Sequence, residues 1–389
     1  MKKLVAIVLA VCLLFAGAVG FLGGKNHVHE ESSAAEYSVP EISTLDYDAI
    51  YALHDPSEVV LRIDGKDVTW GEYFYWIFVN GRQVEDQMSM MAMYGLPMSW
   101  TDPIDESGMS YLSYVSDGVV DTMAVRQSIL GFTEQAGYVM DDEAQAQLAE
   151  QKKQDMTSLC GEGATEADFE QALAEIYMTP EMYDEMMKVA VLYQGGFKLL
   201  YGKDGENVSD ADAQSVLDEY GFLNANHILL LTTDQQTGEL LSEEETAARK
   251  AQAEGFTAEL RAIEDKDALL ARFRELKESF DEDGGKVSNP DGYVFTPGQM
   301  VPEFENGVLA LEDYEVSEPV KSSYGYHVIL RLPVTVDTVL TMSSEGTPMT
   351  ARSIYANNDY GAKLDAYLES MDIEYVGGFA APDLSAYLG

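Results

Sequence analysis

The spacing of apolar residues along the chain predicts two kinds of structure. Between residues 109 and 222, apolar side chains such as Val119 and Met123 recur every three or four positions, which is the spacing of one helix face. Sequences that favour helix starts, such as Ser209-Asp210-Ala211-Asp212, interrupt this pattern. Residues 57–222 are therefore predicted to form a mainly helical domain.

A short hairpin is predicted to open this domain. Val59–Ile63 is strand-like, Asp64-Gly65 is a turn sequence, and Lys66–Thr69 leads back. Thr69 followed by Glu72 forms a capping box, which predicts a helix from Glu72 to Val84. A methionine-dense segment, residues 88–98, follows this helix. Flexible methionines suit either a surface that binds varied clients or ordinary helix packing, and the pattern leaves both open.

Residues 223–333 change to a mixed pattern. Two apolar, strand-like runs begin close to a histidine, at Asn226–Leu231 and at Tyr326–Leu332. The region between them predicts helices from Ser242 and from about Asp267, a strand at Tyr293–Phe295 and a short helix at Glu303–Leu311. The predicted class is α+β, with a four-stranded sheet surrounded by helices. Residues 334–389 contain one helical stretch and are too short for a core of their own, so we expect them to pack on the helical domain.

The first 24 residues have the features of an export signal. Lys2-Lys3 precede an apolar core from Leu4 to Phe15, and Ala16-Gly17-Ala18 is a small-residue cleavage sequence. The apolar stretch of about 20 residues also suits an uncleaved membrane anchor. A lipid anchor at Cys12 is the third alternative. Each predicts a protein outside the cytoplasm, membrane-associated or secreted, with residues 25–56 as a polar linker.

Charge and cysteine content exclude several functions. The 24 basic and 68 acidic residues give a net charge of −44, which excludes nucleic acid as a partner. The two cysteines are Cys12 and Cys160, so a processed chain would have no internal disulfide. The sequence contains no recognisable metal motif, and neither a metal nor a cofactor is expected.

Several separated motifs in residues 223–333 resemble the parvulin family of peptidyl-prolyl cis/trans isomerases. They are Ala225-Asn226-His227-Ile228-Leu229, Gly284-Gly285, Thr296-Pro297-Gly298-Gln299-Met300-Val301-Pro302-Glu303-Phe304-Glu305, Glu318-Pro319-Val320-Lys321-Ser322 and Tyr324-Gly325-Tyr326-His327-Val328-Ile329. The resemblance covers nearly the whole region. The helical flanks, with the hairpin sequence Arg62–Thr69, resemble extracytoplasmic foldases of the PrsA/SurA kind, in which a helical chaperone domain flanks or surrounds a parvulin domain.

The resemblance implies roles for individual residues. His227 and His327 are the paired imidazoles at the floor of the site, and Asp283 faces the substrate carbonyl, although Asp281 is near enough to take that place. Ser322 supplies a hydroxyl near the histidines. The implied substrate-binding residues are Met300 and Phe304 in the proline pocket, Gln299 in the same motif, and Tyr293.

The sequence departs from the family in one place. The family usually has Gly-Asp-Leu-Gly before the second strand, whereas this chain has Asn289-Pro290-Asp291-Gly292-Tyr293. We expect Gly292 to leave a gap where a leucine normally lines the proline pocket, and Tyr293 to refill it.

The resemblance implies an exported foldase that isomerises X–Pro bonds and chaperones unfolded, proline-containing polypeptides, with membrane association through the N-terminus. Rotation about such a bond must break amide resonance, a barrier of roughly 18–20 kcal/mol, and requires neither metal nor redox cofactor. Two alternatives remain: a holdase whose parvulin fold has lost catalysis, and a surface binding protein that uses the same modules structurally.

Overall fold

The computed structural model describes residues 42–105 and 108–389, which divide into two compact units. The first unit comprises the described residues up to Leu200 together with Asp359–Gly389, and the second unit comprises Tyr201–Asn358. The predicted export signal and the first part of the predicted linker lie outside the described residues. No helix within the described ranges is both long and apolar enough to cross a membrane.

Helices predominate before β3, and strands and helices are interspersed after it. The described elements are α1 Tyr47–Tyr51, β1 Val59–Ile63, β2 Lys66–Thr69, α2 Trp70–Met93, α3 Tyr111–Gln135, α4 Asp142–Cys160, α5 Glu166–Ala174, α6 Pro180–Tyr201, α7 Asp210–Tyr220, β3 Leu223–Leu231, α8 Glu243–Arg261, α9 Lys266–Phe280, β4 Tyr293–Phe295, α10 Pro302–Leu309, β5 Val320–Lys321, β6 Gly325–Leu332, β7 Thr341–Met342, β8 Pro348–Met349, α11 Ala351–Ser370 and β9 Ile373–Tyr375. Short 3-10 turns follow at Val376–Gly378 and Leu384–Tyr387.

The first unit is built around aromatic residues of α2. Asp64 and Gly65 both have positive φ, which makes the tight turn between β1 and β2. Thr69 and Glu72 form the predicted capping box, and the helix that they start places Trp70 and Phe74 fully inside the core. Strand β9 completes an antiparallel sheet in the order β2-β1-β9.

Two expectations about this unit are wrong. Residues 42–56 were expected to be linker, but Leu45 and Ile50 are buried in the core, and Asp46 caps α1. Two apolar residues among polar ones were too weak a signal for a five-residue helix. The helix predicted to stop at Val84 continues to Met93, so that Met88 is buried while Met93 is 46% exposed.

The second unit has the predicted α+β class, with a four-stranded antiparallel sheet in the order β4-β3-β6-β5. Alternation along β3 and β6 sends side chains to two different cores. Ile228 and Leu230 face α8 and α9, whereas Leu223 and Ala225 face α10. Both faces of the sheet are therefore covered by helices.

Residues 334–389 are divided between the two units. The β7–β8 hairpin and the beginning of α11 belong to the second unit, whereas the rest of α11 and β9 belong to the first. The division falls at residues 358 and 359, inside α11. The expectation that the whole segment packs on the helical domain is therefore wrong for residues 334–358.

Candidate active site

His227 and His327 lie side by side on the α10 face of the sheet. Strands β3 and β6 pair Leu229 with His327 and His227 with Ile329, so the two histidines are diagonal neighbours. Their Nδ1 atoms are 3.1 Å apart, and the rings are stacked with centroids 5.2 Å apart. Only 6% of His227 and 3% of His327 is exposed. The predicted pairing of the imidazoles is present in the fold.

A chain of hydrogen bonds runs through this pair from Ser322 to Asp283. Ser322 Oγ lies 2.7 Å from His327 Nε2, and His227 Nε2 lies 3.1 Å from Asp283 Oδ2. The Asp283 carboxylate only accepts, so His227 Nε2 carries a proton. For a neutral His227, Nδ1 then accepts from His327 Nδ1–H, and His327 Nε2 accepts from the Ser322 hydroxyl. The four predicted catalytic residues therefore form one connected network.

The surroundings set the charge of two members of the network, Asp283 and His327. Hydrogen bonding from His227 holds the pKa of Asp283 well below its usual range, with further donation from Tyr293 and the Gly285 N–H outweighing the opposite effect of burial. Burial first, and then the neighbouring imidazole of His227, lowers the pKa of His327 to about 3. At neutral pH the site therefore combines an anionic carboxylate with a neutral His327.

Tyr293 contacts Asp283 and His227, rather than only filling space in the proline pocket. Its hydroxyl donates to Asp283 Oδ2 over 2.5 Å, and its ring meets that of His227 edge-on at 5.6 Å between centroids. Burial, and then the bond to Asp283, raises the pKa of Tyr293, so the hydroxyl keeps its proton. Tyr293 thus contacts the acidic residue directly, which the sequence did not indicate.

The expectation that Gly292 leaves a gap in the proline pocket is wrong. Gly292 has φ +105°, and a Cβ at this position would lie 2.5 Å from the carbonyl oxygen of Ala225 and 2.9 Å from Asn226 Cα. The backbone at 292 therefore packs directly against β3, and no leucine side chain fits there. Glycine is the residue that this close approach demands.

Beyond the end of β4, the side chains of Asp281 and Glu282 accept hydrogen bonds from the edge of β3. Strand β4 pairs only with residues 223–225 of β3. Beyond that point, Asp281 Oδ1 accepts from the Leu229 N–H at 2.8 Å, and Glu282 Oε2 accepts from the Leu231 N–H at 2.8 Å. Asp281 is thus committed to the backbone, which leaves Asp283 as the carboxylate that faces the histidines.

Lys277 is a further positioning residue that the sequence analysis missed. It is 4% exposed, and its Nζ donates to Asn226 Oδ1 at 2.7 Å and to the carbonyl oxygens of Asn289 and Pro290 at 3.1 Å each. These bonds attach the loop before Gly292 to β3. The available signal was a lysine adjoining Leu276 on the buried face of an amphipathic helix.

The predicted substrate-binding residues occupy different environments. Phe304, 3% exposed, meets the ring of His227 edge-on at 5.2 Å and that of His327 at 5.5 Å. Met300 is half-buried and packs against the same apolar cluster. Gln299 is exposed, and its Oε1 accepts from the Thr296 N–H, which closes the turn before α10. The structure therefore brings Phe304 and Met300 to the apolar side of the site, whereas Gln299 stabilises a turn.

The His227–Asp283 pair also has a third potential metal ligand beside it. One ligand atom each from His227, Asp281 and Asp283 lie within 4.8 Å of one another. The sequence predicted no metal site because the three residues belong to two separate segments.

Comparisons with known proteins identify the domain that contains this site. Residues 227–332 match the family model described as Rotamase: PPIC-type PPIASE domain. The foldase protein PrsA of Caldanaerobacter subterraneus subsp. tengcongensis is 27% identical over 283 residues, covering 72% of this chain and 74% of that relative. The foldase protein PrsA of Staphylococcus aureus strain Newman is 31% identical over 163 residues, so this chain spans 45% of its length.

A solved structure of PrsA from Bacillus subtilis is 21% identical, covers 81% of this chain and 91% of that one, and has a TM-score of 0.25, too low to bear on the fold. The range matched by the family model begins at His227 and contains His327. Residues 227–332 of this chain are therefore a parvulin-type (PPIC-type) peptidyl-prolyl isomerase domain in a protein similar to PrsA foldases.

Proposed function

We propose that the chain is an extracytoplasmic foldase that accelerates cis/trans isomerisation of X–Pro bonds in unfolded polypeptides. The observation that carries the proposal is the network from Ser322 through His327 and His227 to Asp283, lying beside Phe304. The family match and the names of the relatives support the same activity.

The chemistry requires a site that binds a twisted amide better than a planar one. In the planar amide, resonance puts negative charge on the carbonyl oxygen. The anionic Asp283, with 19% of its side chain exposed, raises the energy of that charge distribution when the carbonyl lies next to it. The C–N bond then loses double-bond character, and its rotation barrier falls.

The remaining residues take supporting roles in this proposal. Phe304 and Met300 hold the proline ring, and Tyr293 orients the Asp283 carboxylate. Gln299 shapes the turn beside the proline pocket. The buried histidine pair forms the floor of the site, and His227 fixes Asp283 from one side.

We further propose that the first unit holds clients. Met90, Met93, Tyr94 and Leu96 are 47%, 46%, 75% and 58% exposed at and just beyond the end of α2. Such a run of exposed apolar residues suits binding of unfolded chains. An isomerase domain 223–333 and a signal or anchor at residues 1–24 belong to this proposal, whereas the helical domain predicted as 57–222 ends at Leu200 in the first unit and also includes Leu45 and Ile50.

A proline-limited refolding assay tests the catalytic proposal. The full chain should accelerate the slow phase, and Asp283→Ala should lower kcat/KM by about tenfold or more, as expected when an interaction made in the transition state is lost. His54→Ala serves as the control, since His54 Nδ1 also lies 3.1 Å from a carboxylate, that of Glu58, in the first unit. Wild type that gives no acceleration, or Asp283→Ala that matches wild type, would contradict catalysis.

The exposed apolar surface favours a second function, client holding without catalysis. Suppression of aggregation of an unfolded substrate by the full chain measures it. The triple variant Met90→Ser, Met93→Ser, Leu96→Ser should suppress aggregation less well, while Asp283→Ala should suppress it as well as wild type. Equal suppression by the triple variant would place client binding elsewhere.

A further inference from the structure

We infer that the floor of the active site also binds one divalent transition-metal cation of the Zn²⁺ type through His227, Asp281 and Asp283, and that the bound cation blocks isomerisation. The binding half of this inference stands on geometry alone. The inhibitory half rests on the proposed function, because it concerns the same site.

The first observation is the convergence of three ligand atoms. One atom from each of the three side chains lies within 4.8 Å of the others. Zinc bound to nitrogen and oxygen at about 2.0–2.2 Å requires ligands roughly 3.3 Å apart in a tetrahedron. The ligand atoms therefore need to close by about 1.5 Å at most, through rotation of the His227 and Asp283 side chains towards Asp281.

The second observation is the unsatisfied oxygen of Asp281. Asp281 is 2% exposed, and its Oδ2 has no hydrogen-bond partner among the described residues. A buried acceptor without a partner is costly. Its other oxygen, Oδ1, accepts from the Leu229 and Asp283 N–H groups and holds the side chain in place. A cation would satisfy a carboxylate that the protein has already fixed in position.

The donor set selects the kind of cation. One imidazole nitrogen and two carboxylate oxygens, with a fourth position open to water, suit Zn²⁺. Ca²⁺ takes six to eight oxygen ligands and Mg²⁺ an octahedron of oxygens, which this set does not offer. Lys286, which donates to the Asp281 carbonyl, and Lys277, close enough to both carboxylates to interact with them, oppose a cation. We therefore expect micromolar rather than nanomolar affinity.

Metal binding is coupled to the histidine pair. With Nε2 of His227 on the metal, its proton moves to Nδ1, which donates to His327 Nδ1. His327 then carries its proton on Nε2 and donates to Ser322 Oγ, so each imidazole changes tautomer and no proton is gained or lost. Hydrogen bonds of this kind orient metal-ligating histidines. Asp283 is drawn away from the substrate carbonyl, which stops isomerisation.

A zinc titration of the metal-stripped full chain by calorimetry tests the binding half. Wild type should bind one Zn²⁺ with micromolar affinity at 0.15 M salt. Asp281→Asn, which retains the Oδ1 acceptor, should weaken binding at least tenfold, and His227→Ala should abolish it. The control His54→Ala should bind as wild type does. Absence of wild-type binding, or unchanged binding by Asp281→Asn or His227→Ala, overturns the site.

A measurement on wild type alone tests the metal site even if the variants fail to fold. The ¹⁵N imidazole signals of His227 and His327 should show metal on His227 Nε2 and the change of tautomer in both rings. Zinc that leaves both sets of signals unmoved overturns the site.

Isomerisation of a proline peptide with and without Zn²⁺ tests the inhibitory half. Zinc should slow wild type by at least fivefold, reversibly on addition of chelator, and each variant is compared with its own metal-free rate. Zinc bound at His227 without slowing catalysis overturns inhibition. A wild type that binds zinc there but never isomerises contradicts the proposed function and leaves the metal site standing. An active wild type that neither binds zinc nor is slowed by it contradicts the metal site and leaves the proposed function standing.

Discussion

Tyr293 donates its hydroxyl hydrogen to Oδ2 of Asp283, the same atom that faces His227 Nε2. The other carboxylate oxygen accepts from the Gly285 N–H at 3.2 Å. Three donors on three different segments therefore determine how Asp283 is oriented. Hydrogen bonds to charged acceptors are stronger than neutral ones, so this arrangement holds the anion firmly.

Tyr293→Phe removes one of these donors and leaves the ring. We expect kcat/KM for a proline peptide to fall about tenfold, and the pKa of Asp283 to rise towards its ordinary value, since a hydrogen bond to a charged group contributes about 1.5–3 kcal/mol. Carboxyl ¹³C NMR follows the pKa. Tyr326→Phe, on the opposite face of the sheet, is the control. Equal rates for the two variants would remove Tyr293 from the positioning role.

The lowered pKa of His327 predicts a pH dependence of stability. Its folded pKa of about 3 lies below the value of about 6.5 for an unfolded histidine, so the unfolded chain takes up the proton first as pH falls. The contribution of neutral His327 is complete above pH 6.5 and is lost as pH falls towards 3. The slope is at most about 1.4 kcal/mol per pH unit.

His327→Gln should flatten this pH dependence. The free energy of unfolding of wild type should fall more steeply than that of the variant between pH 6.5 and pH 5, where Asp283 does not titrate in either state. Urea unfolding followed by the methyl NMR signals of Ile228 and Ile329 reports on this unit, because all three tryptophans lie elsewhere, at positions 70, 76 and 100. Parallel curves for the two proteins would contradict a buried neutral His327.

Gly292→Ala and Gly238→Ala separate steric contact from backbone strain. Both glycines have positive φ, but a Cβ at Gly238 would meet nothing within 4 Å, whereas one at Gly292 would meet Ala225 at 2.5 Å. We expect Gly238→Ala to cost about 1–2 kcal/mol of unfolding free energy. Gly292→Ala should cost at least about 2 kcal/mol more, because β3 and the loop must separate. Similar losses in urea unfolding would show that the loop relaxes freely.

Met300 and Phe304 should respond differently to truncation. Phe304→Ala removes a buried ring and should cost about 3–5 kcal/mol of stability. Met300→Ala, at a half-buried position, should raise KM several-fold with a much smaller loss of stability. Leu309→Ala, 52% exposed at the end of α10, is the control for both. A Met300→Ala variant with unchanged KM would place the proline ring elsewhere.

Much of the second unit was predictable because its signals are local. The bounds of its elements were predicted to within a few residues from local patterns: the alternation in β3 and β6, the capping box at Ser242 and the proline at the start of α10. The pairing of His227 with His327 depends on strand register, which the family resemblance supplied.

The remaining features depend on contacts that the sequence does not display. Asp281 and Asp283 are two positions apart and of the same type, and only the edge of β3 left open by β4 determines which one bonds the backbone. The effect of Gly292 on the pocket was mispredicted, because the need for glycine there comes from the close approach of Ala225, a residue far away in sequence. Strand β9 was not predicted for a similar reason, since its partner strand β1 lies at the other end of the first unit in sequence.

That last pairing has a consequence for how the protein matures. Arg62 in β1 bonds Glu374 in β9 across a separation of 312 residues, and the whole second unit lies between them in the chain. During synthesis or passage through a membrane, the sheet of the first unit cannot close until residues 373–375 have emerged. The second unit needs only its own contiguous residues. We therefore expect the isomerase domain to be the first part to fold, so that catalysis is available before the unit that surrounds it in sequence has been completed.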